Sequence, residues 1–260
     1  MVLTFQPHPG VILAPTRAPA LITNLRTRLG RIARSGVDVA FLQRFTLEFS
    51  RITAEDFVRH LLVDALGVKS IIVGHRVTFG HQRAGDSELL RRLGREHGFE
   101  VEVIGPVEVG EIEVSSSAVR KAIVAGDLVR AQTLLGHAVS VSGRVVHGNH
   151  RGKSLGFPTA NLHVTGLVLP PDGVYAVEAR IGDRNYGGVA NLGRRPTFGE
   201  NDRGLETFVF DFANDLYGEL IEVSFVEQLR GEFKFPNVDA LVAQISLDAE
   251  NARRVLSKKR

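Results

Sequence analysis

Two hydrophobic periods divide the chain into two halves. In the first half, apolar residues recur at three- and four-residue steps, the pattern of helices with one buried face. Thr23 precedes the first such segment and Gly36 follows it; Thr53 and Asp56 form a capping box before the second, and Asp86 begins the third. Short apolar runs lie between these helices, at 37–42, 70–73 and 99–104. Such alternation of helices with buried strands predicts a parallel sheet covered by helices.

The second half alternates with a period of two. Apolar and small polar residues alternate over 139–146, 175–181, 205–212 and 220–225. Strands of this kind, joined by short glycine-containing turns, predict an antiparallel barrel whose inward face fills its own interior. One amphipathic helix follows over 238–256. Because a helical pair at 116–125 and 127–135 ends the first half, we predict two domains, 1–135 and 136–260.

The composition narrows the class of protein. A chain of 260 residues, 43% hydrophobic and 23% charged, can bury a core in each of two domains. It contains no cysteine, which excludes disulfides and thiolate chemistry and fits a reducing compartment. Its beginning lacks the basic and apolar regions of a signal peptide, and no apolar run reaches the ~20 residues that span a bilayer. We therefore expect a cytoplasmic protein with no membrane partner.

The net charge of +3 does not by itself indicate nucleic-acid binding. Arginines are spread among acidic residues, and only 257–260 form a basic cluster. With no tryptophan and three tyrosines, the aromatic platforms on which single strands stack are scarce. Anionic small substrates explain the charge equally well, so we expect no nucleic-acid partner.

A glycine-rich loop in the second half carries the candidate chemistry. Residues 147–162 include three glycines together with Arg151 and Lys153. Backbone N–H groups beside such cations form a concavity suited to phosphates. Thr159 and Asn161 offer hydroxyl and amide oxygens, which are ligands that a magnesium ion accepts.

Two other interpretations of this loop compete with phosphate binding. An ordinary hairpin loop has the same composition, so composition alone leaves that interpretation open. The triplet at 152–154 is similar to the end of a Walker A loop, but Gly148 is one residue too close to it. Pro158 also disfavours the helix that a Walker A loop requires, so this interpretation is rejected.

The loop and the segments after it resemble riboflavin kinase. The sequence Gly-Phe-Pro-Thr-Ala-Asn-Leu at 156–162, after an Arg-Gly-Lys loop, is the signature of that family. This kinase is often the C-terminal half of the bacterial bifunctional riboflavin kinase/FAD synthetase. The resemblance implies a six-stranded antiparallel barrel with a C-terminal helix. Further family motifs follow in order at 169–170, 173–177, 188–198, 205–206, 211–212, 215–218 and 229–235.

The same resemblance implies roles for individual residues. Glu206 matches the family's catalytic glutamate, whereas its strand alone would suggest a solvated acid. Thr159 and Asn161 would bind Mg²⁺. The loop at 229–235 would close over the flavin ring, or else be a connector whose phenylalanines anchor in the core. The implied ATP-binding residues are Gly148, Arg151, Gly152, Lys153, Gly156 and Pro158, and the implied flavin-binding residues are Asn191, Arg230, Glu232 and Phe235.

The first half resembles the adenylyltransferase half of the same bifunctional family, at 2–9, 79–80, 83–86 and 114–120. Ser115, Ser116, Ser117 and Arg120 would bind phosphate at a helix N-terminus. The alternative is a serine cap beside a solvated arginine. His8 would lie near the nucleotide in a complete enzyme and is otherwise a loop histidine.

Two departures from the family pattern concern this first half. The family's phosphate-binding element, Gly-x-Phe-Asp-Gly-x-His-x-Gly-His, does not occur in the sequence. Arg76-Val77 stands where the family has Asp or Asn followed by Phe. We therefore expect a Rossmann-like nucleotidyltransferase domain that lacks its first strand and is an incomplete or impaired adenylyltransferase. A missing strand would also leave an apolar sheet edge open.

The resemblance thus implies an enzyme, riboflavin kinase, which makes FMN and ADP from riboflavin and ATP with Mg²⁺. The alternative is the full bifunctional enzyme, which also converts FMN to FAD. A remote alternative is a non-catalytic flavin- or nucleic-acid-binding barrel. No prediction is made for the oligomeric state.

Overall fold

The chain folds into two compact units. The structure is a computed structural model that describes residues 1–148, 155–194 and 203–258. Unit 1 comprises Met1–Pro19 and Ile32–Val114, and unit 2 comprises Ala20–Arg31 and Ser115–Arg260. Each unit is therefore built from two separate stretches of chain.

Unit 1 contains short strands and helices in alternation. Helix α2 begins in unit 2 and ends in unit 1. In chain order the elements are β1 (Val2–Gln6), α1 (Pro9–Leu13), α2 (Leu25–Arg34), β2 (Ala40–Arg44), α3 (Ala54–Asp56, continued as a π-helix over Phe57–Ala65), β3 (Ser70–Gly74), α4 (Ser87–His97), β4 (Glu100–Ile104), β5 (Glu108–Val109) and β6 (Ile112–Glu113).

The longer strands of unit 1 form parallel pairs, as the alternating pattern predicted. β1 pairs with β2, and β3 pairs with β4. The two pairs belong to separate sheets among the described residues. The predicted cap at Thr53 is confirmed, since its hydroxyl accepts a hydrogen bond from the Asp56 amide at 3.0 Å and donates to the Asp56 carboxylate at 2.9 Å. The core is formed by apolar residues from α3, α4 and the segment before β4, namely Val58, Leu62, Leu90, Leu93 and Phe99.

Unit 2 is a closed barrel of six strands, which pair in the order β10-β11-β8-β7-β12-β9. Every pairing is antiparallel. Two short helices precede the barrel and one long helix follows it. The elements are α5 (Ser116–Val124), α6 (Leu128–Leu135), β7 (Ser140–Val146), β8 (Thr159–His163), β9 (Gly173–Ile181), β10 (Arg184–Arg194), β11 (Arg203–Val209), β12 (Leu220–Arg230) and α7 (Val238–Ser257).

The barrel interior is filled by side chains from alternate positions. Leu162, Leu192 and Leu205 lie in register on three neighbouring strands and are each 0% exposed. Tyr175 is also fully buried, and its hydroxyl donates to the Pro171 carbonyl at 2.5 Å. Burial raises the pKa of Tyr175 to about 12. The phenol therefore stays protonated and keeps its donor role at neutral pH.

Helix α7 covers part of the outer face of the barrel. The Arg253 guanidinium lies 4.1 Å from the centroid of the Phe210 ring, a favourable cation–π distance. The buried members of this outer core are Val174, Ala176, Val189, Phe210, Ala249 and Ala252. The apolar stripe predicted for this helix therefore faces the sheet.

The start of α2 is attached to β7. Asn24 Nδ2 donates to the Ser142 carbonyl at 2.7 Å, and the Thr27 and Ser142 hydroxyls are 2.5 Å apart. Asn24 Oδ1 also accepts from the Thr27 amide at 2.9 Å. The predicted Thr23 cap is therefore wrong: Asn24 caps the helix, because its side chain reaches the free amide.

The predicted fold class is confirmed: an α/β unit with parallel strand pairs accompanies a six-stranded antiparallel barrel with a C-terminal helix. By contacts, α5, α6 and Ala20–Arg31 group with the barrel. The domain boundary between 135 and 136 stays a prediction. Across the described ranges, none of the helices combines the length and apolarity needed to cross a membrane.

Candidate active site

Three of the residues singled out in the sequence lie in one row across the barrel. Asn161 on β8 pairs with Glu206 on β11, and Glu206 pairs with Asn191 on β10. Paired residues of antiparallel strands project to the same face, so these side chains lie side by side. Each of these residues is directly adjacent along its strand to one of the interior leucines, so the row faces outward. We call Asn161, Glu206 and Asn191 the polar row.

Thr159 extends this row along β8. It lies two residues before Asn161 and shares its face, and Asn161 Nδ2 donates to the Thr159 carbonyl at 3.3 Å. Asn161 is 7% exposed. The Thr159 hydroxyl and Asn161 Oδ1 are neutral oxygen donors beside the Glu206 carboxylate. This donor set fits a hard cation such as Mg²⁺, which prefers oxygen ligands and retains water or phosphate in its coordination shell.

Gly148 lies against the Asn161 amide. A Cβ added at Gly148 would come within 2.5 Å of Asn161 Nδ2 and 2.7 Å of its Oδ1. Since a side chain cannot occupy that space, the loop needs glycine here for close approach. The first glycine of the predicted phosphate loop therefore packs on a predicted metal ligand.

The rest of the predicted ATP loop is described only in part. Arg151, Gly152 and Lys153 lie outside the described residues. Gly156 and Pro158 lie in the segment that leads into β8. That segment is anchored by Phe157, whose ring packs edge-on against Phe208 with 5.4 Å between centroids.

Aromatic side chains adjoin Glu206 along β11. Phe208 shares its face by alternation, and the Phe208 and Phe210 rings are 5.7 Å apart. These are the apolar neighbours that the alternation predicted. The carboxylate therefore lies where the polar row meets the apolar surface under α7.

Asn191 carries an acceptor that has no partner among the described residues. Its Oδ1 is buried and makes no hydrogen bond to any described residue. A buried carbonyl oxygen of this kind costs about 1–3 kcal/mol unless a donor satisfies it. An N–H or O–H group of a substrate beside Glu206 would satisfy it.

Glu232 reaches the same strand. A Cβ added at Gly193 would come within 2.0 Å of Glu232 Oε1, so the carboxylate occupies the space that a side chain would take. Gly193 is two residues after Asn191 on β10 and shares its face. The structure thus brings Glu232 to the end of the polar row.

Arg230 is bound by the protein itself. Its Nε donates to Asp248 at 3.0 and 3.1 Å, and a terminal nitrogen donates to Asp248 Oδ2 at 2.7 Å. Its guanidinium carbon lies 4.4 Å from the Phe233 ring centroid and 5.7 Å from that of Phe235. Arg230 and Phe235, both predicted to bind flavin, are therefore in one cluster.

The sequence interpretation missed Asp248. It is 3% exposed and lies on α7 between Ile245 and Ala249, within the stripe of apolar residues. A charged residue inside an apolar stripe is the signal that could have identified it, because such a residue needs a buried partner.

The residues predicted for adenylyl transfer have local structural roles. His8 Nδ1 accepts from the Gly10 amide at 3.1 Å and caps α1. The Ser115 hydroxyl caps α5 through the Ala118 amide at 3.2 Å, and Ser116 and Ser117 are exposed in the first turn of that helix. Arg120 donates to the Ala20 carbonyl at 2.7 Å, and burial lowers its pKa. His8 is in unit 1, whereas the others are in unit 2.

A cavity of about 490 Å³ opens elsewhere in unit 2. Its two arginines, Arg194 and Arg203, pair across β10 and β11 and share the parity of the interior leucines. Arg203 is fixed by the Pro170 carbonyl at 2.5 Å and by Asp172. The cavity thus lies at the end of the barrel where β10 ends and β11 begins. It is on the opposite face of these strands from the polar row.

Two family models match the chain. The FAD synthetase model matches residues 1–118, and the riboflavin kinase model matches residues 135–256. The bifunctional riboflavin kinase/FMN adenylyltransferase of Escherichia coli (strain K12) is 42% identical over 254 residues, which is 97% of this chain and 81% of that protein. The protein of the same name from Listeria monocytogenes is 34% identical over 260 residues, covering 99% of this chain and 82% of that one.

A solved structure shares the architecture. A Streptococcus pneumoniae protein, described as a macrolide-efflux protein, has a TM-score of 0.82 at 35% identity, covering 97% of this chain and 82% of that one. The fold and the two matches define a class of protein in which an FAD synthetase part precedes a riboflavin kinase barrel. The chain belongs to the family of bifunctional riboflavin kinase/FMN adenylyltransferases. The resemblance seen in the sequence is thereby confirmed, and the matches support both the kinase and the bifunctional interpretation.

Proposed function

We propose that unit 2 is a riboflavin kinase, which transfers the γ-phosphoryl group of ATP to the 5′-hydroxyl of riboflavin. The polar row carries this proposal, because a carboxylate lies in register between two amide side chains on one face of the barrel. Oxygen ligands for a metal adjoin the carboxylate on one side. Asn191, whose Oδ1 has no hydrogen-bond partner in the described part of the chain, adjoins it on the other. The riboflavin kinase match over 135–256 supports the same activity.

Glu206 is the proposed general base. The substrate hydroxyl oxygen forms a bond to the γ-phosphorus while the bond to the β–γ bridging oxygen breaks, and ADP leaves. The hydroxyl proton moves to the Glu206 carboxylate. Thr159 and Asn161 would hold Mg²⁺, which offsets the charge that develops on the phosphates. Because both ligands are neutral, the negative charge that attracts the ion must come from ATP itself.

Three further predicted residues, Gly148, Asn191 and Glu232, adjoin this centre. Gly148 is the first glycine of the loop proposed to hold the ATP phosphates, and its contact with Asn161 joins the nucleotide site to the metal site. Asn191 and Glu232 are proposed to bind the flavin, since both lie beyond Glu206 on the other side of the row.

One incubation tests the proposal. The full chain is mixed with riboflavin, ATP and Mg²⁺, and the flavins are separated by chromatography. Replacing Glu206 by Gln keeps the shape of the side chain but removes the base, so kcat should fall about 10²- to 10⁴-fold. Glu178→Gln, an exposed residue on β9, is the matched control and should keep the parent's rate.

The outcomes separate the alternatives. No FMN from the parent chain would refute the kinase activity and favour a non-catalytic flavin- or nucleic-acid-binding barrel. FMN formation by Glu206→Gln at the parent's rate would refute only the role of Glu206.

A second activity, the conversion of FMN and ATP to FAD, is supported by the FAD synthetase match over 1–118. FAD in the same incubation would establish it. FMN without FAD would instead support the expectation of an impaired adenylyltransferase. The cytoplasmic location and the absence of a nucleic-acid partner stay predictions.

A further inference from the structure

We infer that Asp248 on α7 is a positioning residue for the flavin site, acting through Arg230. Asp248 has 5% of its side chain exposed and accepts three hydrogen bonds from Arg230, which ends β12. Gln244 Nε2 donates a further hydrogen bond to Asp248 Oδ1 at 2.8 Å. The Asp248 carboxylate is therefore oriented by Gln244 of its own helix, and it in turn orients Arg230 at the end of β12.

The fixed guanidinium orients the segment that follows. Arg230 also donates to the Gly231 carbonyl at 3.0 Å, so Nε and both terminal nitrogens of the guanidinium donate to the protein rather than to a ligand. Its face stacks on Phe233, and the Phe233 and Phe235 rings are 4.7 Å apart. Phe233 is 50% exposed, so burial in a core does not hold this ring. We call residues 231–235 the closing segment.

The closing segment leads back to the polar row. Glu232 lies between Arg230 and the stacked phenylalanines in sequence, and its carboxylate is over Gly193 on β10. Gly193 shares the face of Asn191. The ion pair thus sets the direction in which the chain leaves β12, and Glu232 reaches the strand that carries Asn191.

A purely stabilising role explains the pair less well. Replacing a buried ion pair by apolar residues of similar volume is often neutral or stabilising, so packing of α7 on the barrel does not require these charges. What the pair supplies is a fixed orientation, since a planar guanidinium bound through two nitrogens cannot rotate. This inference rests on the proposed kinase function, because the closing segment matters only if a flavin binds beside it.

The test compares the two substrates of one enzyme. In Asp248→Asn, the KM for riboflavin should rise about tenfold, since several side chains of the closing segment must be ordered again on binding. The KM for ATP should change less than about twofold, because Thr159 and Asn161 are on a different strand. Asp248→Glu should restore part of the riboflavin affinity, and Glu250→Gln, exposed on the same helix, should match the parent. Titration of riboflavin fluorescence should give the same tenfold change in Kd without turnover.

A second variant covers the case in which Asp248→Asn does not fold. Arg230→Met combined with Asp248→Leu removes both charges and keeps the volume, so it should fold and still show the raised riboflavin KM and Kd. An unchanged riboflavin Kd in this folded variant would overturn the positioning role. So would a parallel rise of both KM values. A parent chain that makes no FMN would refute the proposed function itself.

Discussion

Replacing Glu222 by glutamine should destabilise unit 2 at neutral pH. Glu222 Oε1 accepts from the Ser140 hydroxyl at 2.7 Å, and its Oε2 accepts from Arg180 at 2.5 Å. Arg31 of helix α2 lies 3.8 Å from Oε1 and also donates to Ser140 at 3.0 Å. One carboxylate therefore joins β12 to β7, β9 and the N-terminal stretch of unit 2.

The magnitude follows from how exposed each partner is. Arg180 is 46% exposed, so its pair with Glu222 contributes only about 0–1 kcal/mol. The side chains of Arg31 and Glu222 are 22% and 15% exposed. Loss of the Glu222 charge weakens both its pair with Arg31 and the hydrogen bond from Ser140, which together contribute about 1 kcal/mol. The expected destabilisation is about 1–2 kcal/mol. For a unit of this size, that lowers Tm by roughly 2–8 °C.

The effect should depend on pH with a definite sign. Burial favours a raised pKa for Glu222, but the hydrogen bonds from Ser140 and Arg180 and the two arginine charges outweigh it and hold the pKa below its usual range. The stabilisation is therefore fully present above the unfolded pKa of about 4.3. It is lost as pH falls through the lower pKa of the folded state. The difference between parent and Glu222→Gln should be constant from about pH 8 to 5 and shrink at more acidic pH.

The intrinsic fluorescence of the chain reports on the unfolding of unit 2. The chain has no tryptophan, and all three of its tyrosines, Tyr175, Tyr186 and Tyr217, are in unit 2. Tyrosine fluorescence during urea unfolding therefore reports on unit 2 alone. Glu178→Gln is the control, because an exposed substitution should change stability by less than about 0.5 kcal/mol. Equal stability of parent and Glu222→Gln at pH 7, or a difference that grows on acidification, would refute the reasoning.

Two further predictions concern the loop and a histidine. Gly148→Ala should lower kinase activity in steady-state kinetics about 10- to 100-fold, because the new Cβ displaces the Asn161 amide. The control is Gly105→Ala, whose Cβ would meet open space; it should retain the parent's activity. Burial, together with the charge of Arg31, lowers the pKa of His137, so its contribution to stability is full above about pH 6.5 and is lost as pH falls through the folded pKa. Urea unfolding at a series of pH values should therefore show a shallower loss of stability in His137→Gln than in the parent; equal slopes would contradict this.

The sequence determined the elements because their causes are local. A period of two predicts strands, and a three- to four-residue period with a cap predicts a helix, whatever the rest of the chain does. The cap at Thr53 and the C-terminal part of the apolar stripe of α7 were predicted correctly for this reason. The motif at 156–162 likewise carried the family resemblance and indicated Thr159 and Asn161 as the proposed metal ligands.

The tertiary structure decided which residues face one another, since that depends on strand register and on contacts between distant segments. Only the pairing of β8, β11 and β10 brings Asn161, Glu206 and Asn191 into one row. The ion pair between Arg230 and Asp248 joins a strand to a helix. It therefore engages within the protein an arginine that the motif had assigned to the flavin. The sequence also could not predict that Ala20–Arg31 groups with the barrel. Hydrogen bonds between residues more than one hundred positions apart leave no periodic signal in the sequence.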